Sequence, residues 1–394
     1  MIKLVYFFVT CYFVHLLASI VDLFSAIVQY VGYVLILAWI SWQSVSVLYK
    51  IVTENFLSRV NPQGKAILIT GESLRNHFIF CNIFPGCDSG LGQEYVWTLS
   101  RYGFHIFAGC LFPDGDGAKS LLEKCHHPDR IHIIGIDVTK NDCIKKAVEE
   151  VASILKRDHL ELYGVINNAG LGPTSVFEWS DIETDFKKTF HVNVFGMMKV
   201  CQSFLPLLRK CSGSSRIINI ASIAGREGVP QQGPCCSSKA SVIAFSTTLR
   251  RELRPFGIKV ITIEPYFYAT GLNSFTAIKR NLDQGWESTS HETKHIYGQE
   301  YLDSWLNYYE KILCRTYCTD FNIVSQTILK ALTNNSPEQV YLAIPFIQGM
   351  IIWLHLTLVP LHIHDLLYTL LHQVVKWFYR VCRRYQVTNL EKIE

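Results

Sequence analysis

Hydrophobic and polar positions alternate along this chain in three different ways. From residue 4 to residue 49 the sequence is almost uninterruptedly apolar and aromatic, with Asp22 its only formal charge. A helix crosses a bilayer with about 20 apolar residues, so this block predicts one or two transmembrane helices. Lys3 precedes it, and Lys50, Arg59 and Lys65 follow it. A hairpin turning near Asp22 places all four cations on one side, which the positive-inside rule makes cytoplasmic. A single span over 23–49 behind an interfacial segment is the other arrangement. A cleaved leader has a shorter apolar core than this block. After the turn at Asn61-Pro62-Gln63-Gly64 the period changes. Short apolar runs at 65–70, 105–111, 131–136, 162–166, 216–221 and 258–263 alternate with helix-length amphipathic segments. Such alternation predicts an α/β fold, a Rossmann-type doubly wound parallel sheet with helices on both faces. Residues 341–379 are apolar again, interrupted by Pro345, Pro360 and histidines, with Lys376, Arg380, Arg383 and Arg384 nearby. This tail fits a helical segment lying on anionic lipid, or a terminal helix packed on the domain. The expected organisation is a membrane anchor at 1–60, a Rossmann domain at 61–340 and a C-terminal apolar segment at 341–394.

Composition narrows the choice of function. The 394-residue chain carries a formal charge of only +4 with its basic residues scattered, so it lacks the dense basic face that nucleic acid requires. Its thirteen cysteines contain no zinc-type CxxC pairs, and the chain is too long to need a disulfide scaffold. No metal site is expected, and a reducing, cytosol-facing compartment suits these thiols. Cys314 and Cys318 stand four residues apart beside aromatic residues, where packing is the simple explanation.

A glycine-rich turn between a first strand and a first helix lets the backbone approach a pyrophosphate, whose charge then sits at the helix N-terminus. Here the parts are present but split. Thr70-Gly71 closes the first apolar run and Cys87-Asp88-Ser89-Gly90-Leu91-Gly92 opens the next helix, with residues 72–86 between them. Without those 15 residues the text becomes Ile-Thr-Gly-Cys-Asp-Ser-Gly-Leu-Gly. That is a TGxxxGxG fingerprint, and from about residue 65 to residue 341 the chain resembles the short-chain dehydrogenase/reductase family. Gly-Glu-Ser at 71–73 can be encoded by a splice donor and Ile-Phe-Pro-Gly at 83–86 by an acceptor, so 72–86 also reads as a retained short intron.

The resemblance extends to companion motifs in order: Asp137-Val138 after the third run, Asn167-Asn168-Ala169-Gly170 after the fourth and Pro265 ending the sixth. It implies that Thr70, Gly71, Ser89, Gly90, Leu91 and Gly92 cradle the cofactor. Asp137 and Val138 would lie beside the adenine, Asn167 to Gly170 would brace the pocket, and Pro265 and Thr270 would meet the nicotinamide. A phosphate on the ribose wants Arg or Lys, whereas Asp88 and Asp114 supply acid, which favours NAD over NADP.

For catalysis the resemblance implies Asn193, Ser222 and Lys239 as proton-relay, substrate-binding and ribose-holding residues. The family's YxxxK reads Cys235-Cys236-Ser237-Ser238-Lys239, so Cys235 occupies the tyrosine position. A thiol with an unperturbed pKa near 8.5, lowered further by Lys239, has acidity suited to proton transfer. Its sulfur ends about 4–5 Å short of where a phenol oxygen would be, and direct transfer needs contact of about 2.6–3.2 Å or one bridging water. The next tyrosine, Tyr266, is separated by a helix and a strand and replaces a glycine of the family pattern. Within the family the likeness is to the membrane-bound hydroxysteroid (17-beta type) and retinol dehydrogenase group, in Phe107-Ala-Gly-Cys110, Phe204-Leu-Pro-Leu-Leu-Arg209 and Tyr297-Gly-Gln-Glu-Tyr301. That implies a hydrophobic alcohol or ketone as substrate, a lid at 266–335, an endoplasmic reticulum membrane, and a homodimer formed through the helices carrying Asn193 and Lys239. Two readings follow: an oxidoreductase using Cys235, or a non-catalytic relative that binds a dinucleotide or lipid.

Overall fold

In a computed structural model of the chain, residues 12, 15, 30–42, 44–45, 59–71, 90–271 and 273–390 are described. They fall into two compact units, residues 1–59 with 334–336 and residues 60–333 with 337–394. In the first unit residues 30–42 are helical, with Tyr30, Leu35, Leu37, Trp39 and Trp42 exposed. Among the described residues no helix is both long and apolar enough to cross a membrane. The greater part of the expected anchor, including Lys3, Asp22 and Lys50, lies outside the described residues.

The second unit is built on seven parallel strands: β1 (Lys65–Thr70), β2 (His105–Cys110), β3 (Ile131–Gly135), β4 (Glu161–Asn167), β5 (Arg216–Ile220), β6 (Lys259–Pro265) and β7 (Val340–Ala343). Their spatial order is β3-β2-β1-β4-β5-β6-β7. The central strands are buried along nearly their whole length, which is why they read as continuous apolar runs rather than alternating ones. Helices cover both faces. Asn141–Arg157, Met197–Leu208 and Gly233–Leu253 pack on one, Gly90–Tyr102, Asp116–Glu123 and Asn322–Thr333 on the other. The Asn141–Arg157 helix illustrates the local logic. Ile144, Ala147, Val151 and Leu155 make one buried stripe, and Asp142 in its first turn with Lys156 and Arg157 in its last complement the helix dipole.

The six strands expected from the sequence are present, and the seventh is an addition. Val340–Ala343 is too short for a period to register and opens the stretch assigned to the C-terminal tail, yet it pairs with β6 in parallel and buries Tyr341 and Ala343. The tail itself forms two helices, Phe346–Leu358 and Leu361–Leu390. Leu371 and Val375 pack into an aromatic cluster with Trp305 and Tyr309. On the other side, Phe346, Ile347, Met350, Leu366, Leu370 and Trp377 are exposed. Arg380, one of the cations that would suit a lipid-facing segment, pairs with Glu300 at 2.5 Å. The chain leaves β1 toward β2 and β3, then returns to β4 on its other side. This reversal opens a crevice at the carboxyl ends of β1 and β4, where doubly wound sheets bind their ligands.

Candidate functional site

A cavity of about 90 Å³ lies at that crevice, lined by Asn168, Gly170, Ser222, Cys235, Lys239 and Thr270 among others. Cys235 and Lys239 reach it together because both belong to the Gly233–Leu253 helix and stand one turn apart. Pro234 begins this helix, where its missing N–H removes nothing. Lys239 is buried and its Nζ donates to the Ile220 carbonyl at 2.8 Å. Burial lowers its pKa, with Cys235 acting in the opposite sense. For Cys235 the sequence expectation is overturned. Burial pushes the thiol up to about 11, and Lys239 only partly offsets that desolvation. The cysteine is therefore a protonated thiol at neutral pH.

Ser222 follows β5 and its Oγ accepts from the Ala224 N–H at 3.2 Å, which leaves the hydroxyl proton available to the cavity. Asn193 lies in a π-helical turn, His191–Gly196. Its Oδ1 accepts from Leu171 N–H at 2.6 Å, and its Nδ2 donates to Leu171 O at 2.8 Å and to Ser238 Oγ at 2.9 Å. A Cβ at Gly170 would meet Asn193 Oδ1 at 3.3 Å and Lys239 Nζ at 3.6 Å, so glycine keeps these two groups accessible to each other's side of the crevice.

The expected cofactor residues gather from four strand ends. Thr70 Oγ1 accepts from Asn168 N–H at 3.2 Å, tying β1 to the turn after β4. Asn167 Nδ2 donates to Asn219 Oδ1 at 2.8 Å, joining β4 to β5. Ala169 packs against the core on the sheet face that carries Val138. Asp137 accepts from the Thr139 N–H at 2.9 Å and hydroxyl at 2.6 Å. Burial alone would raise its carboxyl, but these bonds and Lys140 hold it below its ordinary value. Val138 is buried and locks Gly196, whose added Cβ would come within 2.7 Å of Val138 Cγ2. Pro265 ends β6 and lines the cavity. Thr270 Oγ1 is buried with no hydrogen-bond partner among the described residues, a cost that a ligand amide would remove. Gly71 is buried after β1, Gly90 opens its helix at φ +59°, Leu91 lines the cavity and Gly92 is buried. Ser89, Asp88 and the insertion at 72–86 lie outside the described residues. At the nicotinamide and ribose end, then, the donor set fits a dinucleotide: an orphaned hydroxyl, a buried ammonium and a glycine where a side chain would intrude.

Tyr266, Phe267 and Tyr268 also line the cavity. The sequence placed Tyr266 where the family pattern has a glycine close to the nicotinamide, and parallel strands β5 and β6, which end on the same side, bring it there. Tyr268 donates to Ala343 O at 3.0 Å, and burial, then the neighbouring Cys318, raise the Tyr266 phenol.

The short chain dehydrogenase model matches residues 83–281, beginning beyond most of the insertion. The chain is 36% identical over 286 residues to the D-beta-hydroxybutyrate dehydrogenase, mitochondrial, of Mus musculus, covering 71% of this chain and 76% of that one. It is 38% identical over 275 residues to retinol dehydrogenase 16 of Mus musculus, covering 68% and 81%. With the 17-beta-hydroxysteroid dehydrogenase type 6 of Bos taurus it shares 35% over 271 residues, again 68% and 81%. Among solved structures, a short chain dehydrogenase/reductase from Burkholderia phymatum in complex with NAD has the same fold, with a TM-score of 0.56 at 17% identity over 74% of this chain and 93% of that one. The chain belongs to the short-chain dehydrogenase family. Within it, the chain is similar to retinol and hydroxysteroid dehydrogenases.

Proposed function

We propose that this protein is a nicotinamide-dependent oxidoreductase acting slowly on a hydrophobic alcohol or ketone of steroid- or retinol-like character. The observation that carries this reading is the convergence of Ser222, Cys235, Lys239 and the orphaned Thr270 hydroxyl on one cavity. When bound, the cofactor supplies hydride transfer. Thr270 would hold the nicotinamide amide, Lys239 the ribose, and Gly71 with Gly90 to Gly92 the pyrophosphate. Asp114 makes NAD the preferred form. Ser222 keeps its proton and donates a hydrogen bond to the substrate oxygen. Cys235, protonated at neutral pH, passes a proton to that oxygen through one water, which suits ketone reduction better than alcohol oxidation. Tyr266, Phe267 and Tyr268 give the cavity apolar walls.

The raised thiol pKa and the short reach of Cys235 favour a second reading, a relative that binds dinucleotide or lipid without turnover. The full-length chain in detergent, with and without residues 72–86, separates the two. NAD and NADP binding are measured by fluorescence and turnover on a panel of sterols, retinols and 3-hydroxybutyrate. Cofactor binding with measurable turnover on an apolar substrate supports the first reading. Binding without turnover, rescued by Cys235→Tyr, supports the second, and no cofactor binding in either form sinks the first and the dinucleotide-binding form of the second.

The apolar block at 4–49 and its flanking cations support attachment to the endoplasmic reticulum membrane with the Rossmann domain in the cytosol. Imaging of a tagged chain with protease protection tests this, and a mitochondrial signal refutes it. A homodimer through the helices carrying Asn193 and Lys239 is tested by light scattering.

A further inference from the structure

Beside the cavity that holds Ser222, Cys235 and Lys239 lies a second, larger one, and the two share a wall. The first has a volume of about 90 Å³, whereas pockets that enclose a small molecule run to about 300–1,000 Å³. It therefore takes only the reacting end of a substrate. The second has a volume of about 750 Å³, and Thr174 lines both. The walls of this larger chamber come from the segment after β4 and from the Phe275–Ser288 helix. Trp179 of that segment and Trp286 of that helix meet edge to face at 4.9 Å, which holds the two walls together. The helix runs from one cavity to the other. Ile278 lines the first, and Arg280, Gln284 and Glu287, at i, i+4 and i+7, line the second.

The chamber is polar where an all-hydrocarbon ligand needs apolar walls. Among the described residues its apolar side chains are confined to Leu171, Pro173 and Trp179. Thr174 is only 5% exposed, and its hydroxyl makes no hydrogen bond with a described residue. A buried hydroxyl left unpaired costs free energy that a ligand oxygen recovers. Carboxylates and cations are interleaved around the chamber, Asp181, Asp185 and Glu287 with Lys188 and Arg280. Two of the acids are also engaged by backbone, Asp181 Oδ1 accepting from Glu183 N–H at 2.9 Å and Asp185 Oδ2 from Asp181 N–H at 3.2 Å. Walls of mixed sign suit a neutral hydrogen-bonding group better than an ion.

We propose that this chamber holds a second, neutral oxygen, a hydroxyl or ketone, at the end of the substrate remote from the reacting carbon, with Thr174 and Gln284 as its hydrogen-bonding partners. The inference rests on the oxidoreductase reading above and narrows its substrate. A steroid with oxygen at both ends of a rigid apolar body fits, whereas the single oxygen of retinol is the reacting one and leaves hydrocarbon against the polar walls.

The test uses the full-length chain in detergent with NADH and reads binding by equilibrium dialysis, so the chemistry available to residue 235 does not enter. The ligands are androstanedione, each mono-ketone made by removing one of its oxygens, and retinol. The diketone is expected to bind at least about tenfold tighter than either mono-ketone or retinol. In Thr174→Val and in Gln284→Leu that advantage should shrink to about twofold, a comparison of ratios in which partition into detergent cancels. Should Gln284→Leu unfold by circular dichroism, Thr174→Val, which removes one hydroxyl and keeps the shape of the side chain, decides alone. Retinol or the mono-ketones binding as tightly as the diketone overturns the inference and leaves the oxidoreductase reading standing. Tighter binding of androsterone sulfate than of the diketone assigns the chamber to an anion and overturns it too. A chain that binds NADH but none of these ligands overturns both.

Discussion

At residue 235 the difference between a thiol and a phenol is one of length as well as of acidity. Lys239 and Ser222 line the same cavity as Cys235, as the partners of a tyrosine at 235 would, but the sulfur stops short, so Cys235→Tyr should restore direct proton transfer. A rise in kcat on the order of 10² to 10⁴ is expected, with the cofactor dissociation constant changed less than about twofold. Equal turnover by the parent chain would show that the thiol already suffices. The pH profile follows from the same residue. Because the thiol titrates near 11, its protonated form dominates below that pH. Ketone reduction, which consumes the proton, should stay level from neutral pH and fall only as pH approaches 11. Alcohol oxidation needs the thiolate, so its rate should climb about tenfold per pH unit toward that value. An oxidative rate already level at pH 7 would identify a different base.

Among the elements, the five interior strands were legible because burial on both faces writes them as unbroken apolar runs, and β3 at one edge because its isoleucines still form a run, whereas β7 at the other edge was not, having only four residues. Thr70, Asn167 and Pro265 were legible because each closes a strand, and a parallel sheet brings those ends to one rim, whereas Asn193, Cys235 and Lys239 come from helical turns. The acidity of Cys235 was misjudged because desolvation depends on packing that spacing does not encode. One interaction of this rim was invisible for the same reason. Arg226 donates to Glu264 at 2.7 and 2.8 Å, fastening the loop after Ser222 to β6, and the Glu264 side chain has no exposure at all. Arg226→Met should leave that carboxylate buried and alone, at a cost of roughly 3 kcal/mol by urea denaturation. An unchanged midpoint would mean that water replaces the guanidinium. The glycine loop gives a further expectation. Removing residues 72–86 restores TGxxxGxG and should tighten NAD binding by at least about tenfold, read by fluorescence titration. No gain would show that the longer loop already cradles the pyrophosphate.

For the molecule as a whole, the distribution of exposed apolar side chains raises the question of what surrounds it. A lone exposed leucine is ordinary, but Phe346, Ile347, Met350 and Ile351 stand on one short helix, and Leu366, Leu370, Val374 and Trp377 recur along the next. The opposite side of the second helix is fixed by Leu371 and Val375 and by the Tyr379 bond to Asp303 at 3.1 Å, so its exposed side has a defined direction. The pairing of Arg380 with Glu300 removes one cation from any electrostatic attraction to lipid, so apolar insertion dominates the attraction. If this face lies on a bilayer, it should hold the chain there even without the N-terminal block. A chain lacking residues 1–59 should therefore sediment with phosphatidylcholine vesicles, and adding anionic lipid should change the bound fraction less than about twofold. Replacing Phe346, Ile347, Met350 and Ile351 together by Glu should release it, with the thermal unfolding midpoint unchanged because these side chains make little of the core. Retention of that variant on vesicles, or failure of the truncated parent to bind them, would assign membrane attachment to residues 1–59 alone.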